Sequence, residues 1–229
     1  MKRYIIYIIL CASFSQFINC KNKNIQIESE NISIERIDSI GFNSLYTKHY
    51  RKEIAPERIT NFDSVKDLLQ NRVEFKTFDN DETILIEKIH FGNGITKSLN
   101  DIYEGLFVAY FPEYDFILLE GGHTTDDGYD LTTGKNIDEA GNPADQTISP
   151  KGKYRISGVY GGQECSTYII QKNENNKFVK IGEIDNIDLC YFIKYFWEDD
   201  TTFYFSIRSY MNDAEVGEMK YYRLRISEK

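Results

Sequence analysis

The chain predicts a mostly β domain, an antiparallel meander of hairpins with one short helix near residues 61–71. Three observations carry this. Tyr and Phe, which suit half-buried pleated surfaces, number 17 and 15 among 229 residues. Residues 112–171 read as two successive hairpins built to one plan. The last third alternates at period two, with Phe203, Phe205 and Ile207 on one side of a strand and Tyr222, Leu224 and Ile226 in phase on the next. An up-and-down barrel or a sandwich is the alternative arrangement of the same strands.

The chain opens with Lys2 and Arg3, then an apolar run over 4–14, then Phe17, Ile18, Asn19 and Cys20. A basic start followed by a short apolar stretch is the layout of a secretory signal, and the stretch is short for a membrane span. Residues 1–19 are therefore expected to be a signal peptide. A Cys closing such a segment resembles the lipobox of bacterial lipoproteins, with Asn19 and Phe17 where that family usually carries a small residue and Leu. The resemblance implies that Cys20 becomes the first mature residue and carries acyl groups such as palmitate. Each buried methylene adds about 0.8 kcal/mol of membrane affinity, so two or three chains hold a protein firmly. Cleavage to a free soluble product and an uncleaved anchor are the other two readings.

Formal net charge is −9, and more negative without Lys2 and Arg3. That balance argues against nucleic acid, because phosphate binding needs clustered Lys and Arg. It also argues against broad adhesion to anionic lipid. The roughly 210 residues after the leader are enough to bury about 70% of the unfolded surface without a staple.

Residues 20–43 read as a polar tether with room for one or two short strands, since Ile25/Ile27 and Ile32/Ile34 keep period two. Residues 44–229 read as a single mostly β domain. Over 44–59 there is no clean period, and Lys48, His49, Arg51 and Lys52 read as a solvated face. Val65, Leu68 and Leu69 share a helical face, Asn61 or Asp63 caps its start, and Asn71 ends it in a left-handed conformation. A hairpin spans 73–90, with its turn at 79–82. Ser98 and Asp101 suggest a capped single helical turn. The apolar runs over 105–111 and 116–119 suggest strands covered on both faces. Residues 132–145 form a long polar connection.

The two hairpins share turn chemistry: Pro112-Glu113-Tyr114-Asp115 and Ser149-Pro150-Lys151-Gly152 lead in, and Gly121-Gly122 and Gly161-Gly162 break the strands. A looser third copy starts near Glu198, giving spacings of about 38 and 48 residues. Tyr129-Asp130-Leu131-Thr132-Thr133-Gly134-Lys135 and Ser149-Pro150-Lys151-Gly152-Lys153 resemble the ends and turns of propeller blades. The resemblance covers about 120 residues and implies propeller-like or partial-propeller geometry, short of a closed ring.

The loop over 121–130 gathers His123, Thr124, Thr125, Asp126, Asp127 and Asp130. It reads as a metal or ligand site or as a solvated turn, and it lacks calcium-loop spacing. If the hairpins stack, His123, Asp126 and Asp127 share a binding rim with Tyr160, Gln163, Glu164 and Tyr210. No metal or cofactor is assigned. Cys165 and Cys190 form a bridge, worth roughly 3 kcal/mol for a closed loop of this length, or stand as two buried thiols, with a catalytic Cys as the third reading. No nucleophile elbow, zinc helix, P-loop or dinucleotide motif occurs.

By resemblance, the chain looks like one of the small lipoproteins of Gram-negative bacteria common in the Bacteroidota. Its Ile-, Asn- and Lys-rich usage fits an AT-rich genome. The expected role is a cell-envelope module, periplasmic or at the outer membrane. It is membrane-held through its anchor and binds a protein or small ligand. A hydrolase using carboxylates such as Glu120, Asp126 and Asp127, and an inhibitor or immunity lipoprotein meeting a basic partner, are the alternatives.

Overall fold

The computed structural model describes residues 26–27, 31–78, 83–99, 105–162, 166–185, 191–208 and 217–228. Strands β1 (Gln26–Ile27) and β2 (Ile32–Ile37) come first, then helices α1 (Ser39–His49) and α2 (Phe62–Leu69). Next are β3 (Val73–Phe78), β4 (Thr83–His90), β5 (Thr96–Ser98), β6 (Leu106–Phe111), β7 (Phe116–Glu120) and β8 (Asp126–Asp130). One helical turn, α3 (Ile137–Ala140), precedes β9 (Gln146–Ile148), β10 (Tyr154–Val159), β11 (Thr167–Glu174) and β12 (Lys177–Asp185). The chain ends with β13 (Lys194–Trp197), β14 (Thr202–Arg208) and β15 (Met219–Ile226).

These strands form three antiparallel sheets: β3-β4-β6-β7-β8 with β5 added to β4, then β1-β12-β11-β10-β9, then β13-β14-β15-β2. The sheets stack face to face in that order. Phe111, Phe116 and Leu118 of the first sheet meet Val159 and Ile169 of the second. Tyr154, Ile156, Tyr168 and Ile170, on the second sheet's other face, meet Trp197, Phe203, Phe205 and Leu224 of the third. Helix α2 covers the first sheet's outer face through Val65 and Leu69. Helix α1 covers the third sheet's outer face through Phe42, packed on Phe196 and Tyr204. Among the described residues no sheet closes on itself, so the barrel alternative does not hold. Layers pack as in a sandwich or between propeller blades, but there are three of them.

The double coverage expected for 116–119 is present: Ile117 and Leu119 face α2, while Phe116 and Leu118 face the second sheet. At the hairpin turn between β11 and β12, Asn175 and Asn176 both take positive φ, 55° and 64°. That is the two-residue turn whose twist matches paired strands. The segment read as a tether supplies β1, which pairs with β12, and β2, which covers the free edge of β15. An edge so covered cannot recruit another chain. The domain boundary placed at residue 44 falls inside α1.

Helix α1 itself is a correction. Asp38 caps it, accepting the Gly41 N–H at 2.8 Å, and Lys48 and His49 close its last turn. Only Phe42 is fully buried, and Ile40 stands 82% exposed, so no apolar stripe marks it in the sequence. In α2, Asn61 accepts the Ser64 N–H at 2.9 Å as expected, but Leu68 points to solvent and the chain leaves through a right-handed Gln70. Ser98 ends strand β5, and Asp101, the other half of the expected capped turn, lies outside the described residues. The polar connection over 132–145 holds α3, with Ile137 buried between the first and second sheets. The turn over 79–82 lies outside the described residues.

Candidate functional site

The stacking of the first two sheets brings part of the expected rim together. Asp126 N–H donates to the Tyr160 carbonyl at 2.9 Å, and Tyr160 N–H donates to Asp126 Oδ2 at 3.0 Å. Gly162 packs so closely on the other loop that a Cβ there would stand 2.4 Å from the His123 carbonyl oxygen. His123 and Thr124 both hold positive φ, 60° and 62°, an uncommon conformation for a β-branched residue. His123 and Tyr160 are exposed. Asp126 also accepts from Asn142 Nδ2 at 2.8 Å, so its carboxylate ties β8 to the segment before β9. Asp127 accepts the Gly128 N–H at 2.6 Å and faces the other side of β8. Register sets Glu120 opposite Asp126. Gln163, Glu164 and Tyr210 lie outside the described residues, as do Cys20, Cys165 and Cys190. Among the described residues no three His, Cys, Asp or Glu side chains gather as a cation site.

A larger feature lies elsewhere along the same sheet interface. Strand β10 alternates Tyr154, Ile156 and Gly158 with Arg155, Ser157 and Val159. In an isolated hairpin the second set would face water. Here the first sheet covers it, and all six residues are buried. The apolar end, Val159 with Ile169, packs tightly. At the polar end, Arg155 pairs in register with Gln171, and there the sheets enclose an open cleft of about 490 Å³.

Arg155 forms the cleft floor and is only 5% exposed. Its Nε donates to Gln171 Oε1 at 2.8 Å, Nη1 to Gln146 Oε1 at 3.2 Å, and Nη2 to the Ala140 carbonyl at 2.7 Å. Its guanidinium lies over the Phe178 ring, 4.3 Å from the centroid. All these partners are neutral. Arg155 makes no ion pair with a carboxylate among the described residues. Burial therefore pulls its pKa down to about 10, with Tyr114 and Asp130 only partly opposing. It remains a cation at neutral pH, and five donors face three neutral acceptors. Lys135, Lys177, Glu113 and Asp130 also line the cleft, with Thr132, Thr133 and Asn176 beside them, and Lys135 has Glu139 at 3.8 Å.

A buried charge without a counter-ion is costly, and hydrogen bonds to neutral oxygens recover only part of the lost hydration. Three of the five N–H donors of Arg155 have described acceptors, which leaves two for an arriving carboxylate or phosphate. Sequence reading passed over Arg155 because an Arg in an alternating strand reads as its wet face. Only the neighbouring sheet reverses that.

No protein-family profile matches the chain, and comparison with curated proteins and with solved structures likewise found no match.

Proposed function

We propose that this chain is an exported, lipid-anchored binding protein of the cell envelope that takes a small acidic ligand in the Arg155 cleft. The observation that carries the reading is the buried guanidinium without a carboxylate partner at the floor of an open cleft of ligand size. Such cavities usually run from about 300 to 1,000 Å³. Arg155, Lys135 and Lys177 outnumber Glu113 and Asp130 along the cleft, which gives an acidic protein a local attraction for anions. Anchoring rests on the leader and on Cys20.

Acetate, succinate and inorganic phosphate, titrated at matched ionic strength, test the cleft by thermal unfolding. At a hundredfold excess over Kd a ligand adds about 2.7 kcal/mol, a rise of roughly 5–10 °C for a domain this size. Arg155→Gln is expected to abolish the shift, and the Lys135→Ala, Lys177→Ala double variant to weaken it. A shift that survives in folded Arg155→Gln protein, or no shift with any of the three anions, removes the reading.

Anchoring has its own test in mass spectrometry of the native N-terminus with membrane fractionation. Acylated Cys20 at the first position in the membrane fraction is expected. A soluble chain starting elsewhere would refute it.

A further inference from the structure

A second cavity lies between the second and third sheets, across the second sheet from the Arg155 cleft, with Gln146 lining it and also accepting from Arg155, and its chemistry is of opposite sign. It is small, about 50 Å³, and is lined by the rings of Tyr168, Tyr191, Phe192 and Tyr195, by Thr147 and by Asp145. Tyr168 and Phe192 stack with centroids 3.7 Å apart, and Tyr168 Oη accepts the Phe192 N–H at 2.8 Å, fixing the aromatic wall. Tyr195 points its hydroxyl at Glu53 Oε2, 3.5 Å away.

The carboxylate of Asp145 is the unusual member. It accepts no hydrogen bond from a described residue, although Asp145's own backbone is tied by the Gly158 N–H to its carbonyl at 2.7 Å. It lies against Gly158, where a Cβ would stand 2.1 Å from Oδ2. One side of the residue is open to solvent, and the other is crowded by protein. Crowding first, then Asp126, raise the Asp145 pKa; desolvation first, and more weakly Asp145, raise that of Glu53 against the opposing hydrogen bonds of Thr147 and Tyr195. Both carboxylates lack a compensating cation, and neither is in an ion pair among the described residues.

We infer that this cavity is a receptor for a primary ammonium group, the head of a lysine side chain or of a small alkylamine, held by Asp145 against the aromatic wall with Glu53 at its edge. Aromatic faces attract cations, and more strongly once water is excluded. An ammonium carries three donors for an acceptor that has none. The small volume favours a single ammonium head over a guanidinium or a quaternary amine. The site is independent of the Arg155 reading.

The chain carries its own reporter. Its only tryptophan, Trp197, donates its indole N–H to Thr147 Oγ1 at 3.0 Å, and Thr147 lines the cavity. Emission of the full chain is titrated with n-butylammonium chloride, with Nα-acetyl-lysine methylamide and with neutral 1-butanol, at constant ionic strength and pH 7. A saturable change with an ammonium and none with the alcohol is expected. If both ammonium compounds respond, the head group alone suffices. If only the lysine derivative does, a peptide is the natural source.

Asp145→Asn is expected to weaken binding at least tenfold. Gly158→Ala, which pushes a methyl into the carboxylate's place, should do the same from the other side. Asp145→Asn should keep the thermal shift with anions, so this site and the anion cleft fail separately. In the wild type, affinity should fall as the pH drops through the raised Asp145 titration, with Glu53 contributing and Tyr168 and Tyr195 staying neutral. An equal response to butanol, no response to either amine, or full binding by both variants overturns the inference.

Discussion

Gly128→Ala is expected to lower stability by about 3 kcal/mol or more. A Cβ at this position in β8 would stand 2.6 Å from the Ile117 carbonyl oxygen and 2.6 Å from Phe116 Cζ. The first is backbone, and the second, though the tip of a ring, belongs to a side chain held by burial on every side. Ile117 O belongs to β7, which pairs with β8 with Leu118 opposite Gly128. Phe116 is fully buried against the second sheet. Relief therefore requires β7 and β8 to separate or the first two sheets to part, and either exposes the shared core. Thermal unfolding should show a Tm lower by roughly 6–12 °C. A fall of less than 2 °C would mean that the sheet interface yields more readily than its packing indicates.

Asp115→Ala is expected to cost about 2–3 kcal/mol, because this carboxylate joins three separate pieces of chain. It sits at φ 47°, just after the helical turn over 112–114 that connects β6 to β7. Arg72, following α2, grips it with two nitrogens at 2.7 and 2.9 Å. Thr132 Oγ1 donates at 2.6 Å and the Tyr110 hydroxyl at 3.0 Å. Burial pushes the Asp115 carboxyl up, but Arg72, Thr132 and Tyr110 together outweigh it and hold its pKa below the usual 3.8. The sign follows. The folded protein binds the Asp115 proton less readily than the unfolded chain, so this contribution is complete above the unfolded value and is lost as pH falls through the folded one. The wild-type Tm should drop steeply below about pH 4, and Asp115→Ala should flatten that limb while lowering the plateau at pH 7. Parallel acid limbs would show that other carboxylates set the acid response. Asp145 works in the opposite direction. Its raised pKa costs stability at neutral pH, and that cost is relieved as pH falls through its folded value, whereas Glu74 and Asp199, whose pKa values are also lowered, add to the acid loss.

The same geometry explains what could be read in advance. Strands β7 and β10 were legible because each pairs with a near neighbour through turns carrying Pro or Gly, and β14 and β15 because they alternate at period two. Such a turn and the period-two pattern are local properties. Asn61 announced α2 for the same reason, since a cap needs only the residues three positions on. Helix α1 was not legible, because one fully buried residue, Phe42, leaves no periodic trace and its partners Phe196 and Tyr204 lie some 150 residues later. Of the expected rim, Asp126 and Tyr160 do meet, but through hydrogen bonds that fasten two sheets.

The amino-acid order by itself determined the strands, their turns, the covered faces of β7 and the acidic balance of the chain, since each depends on composition or on side chains a few positions apart. Which polar residues are buried was decided only by the stacking of the three sheets. Arg155 becomes a cleft floor because the first sheet lies over β10, and Asp145 meets Tyr168 and Tyr195 because the second and third sheets face each other. Desolvation acts on groups brought together from distant parts of the chain, and no local pattern encodes it.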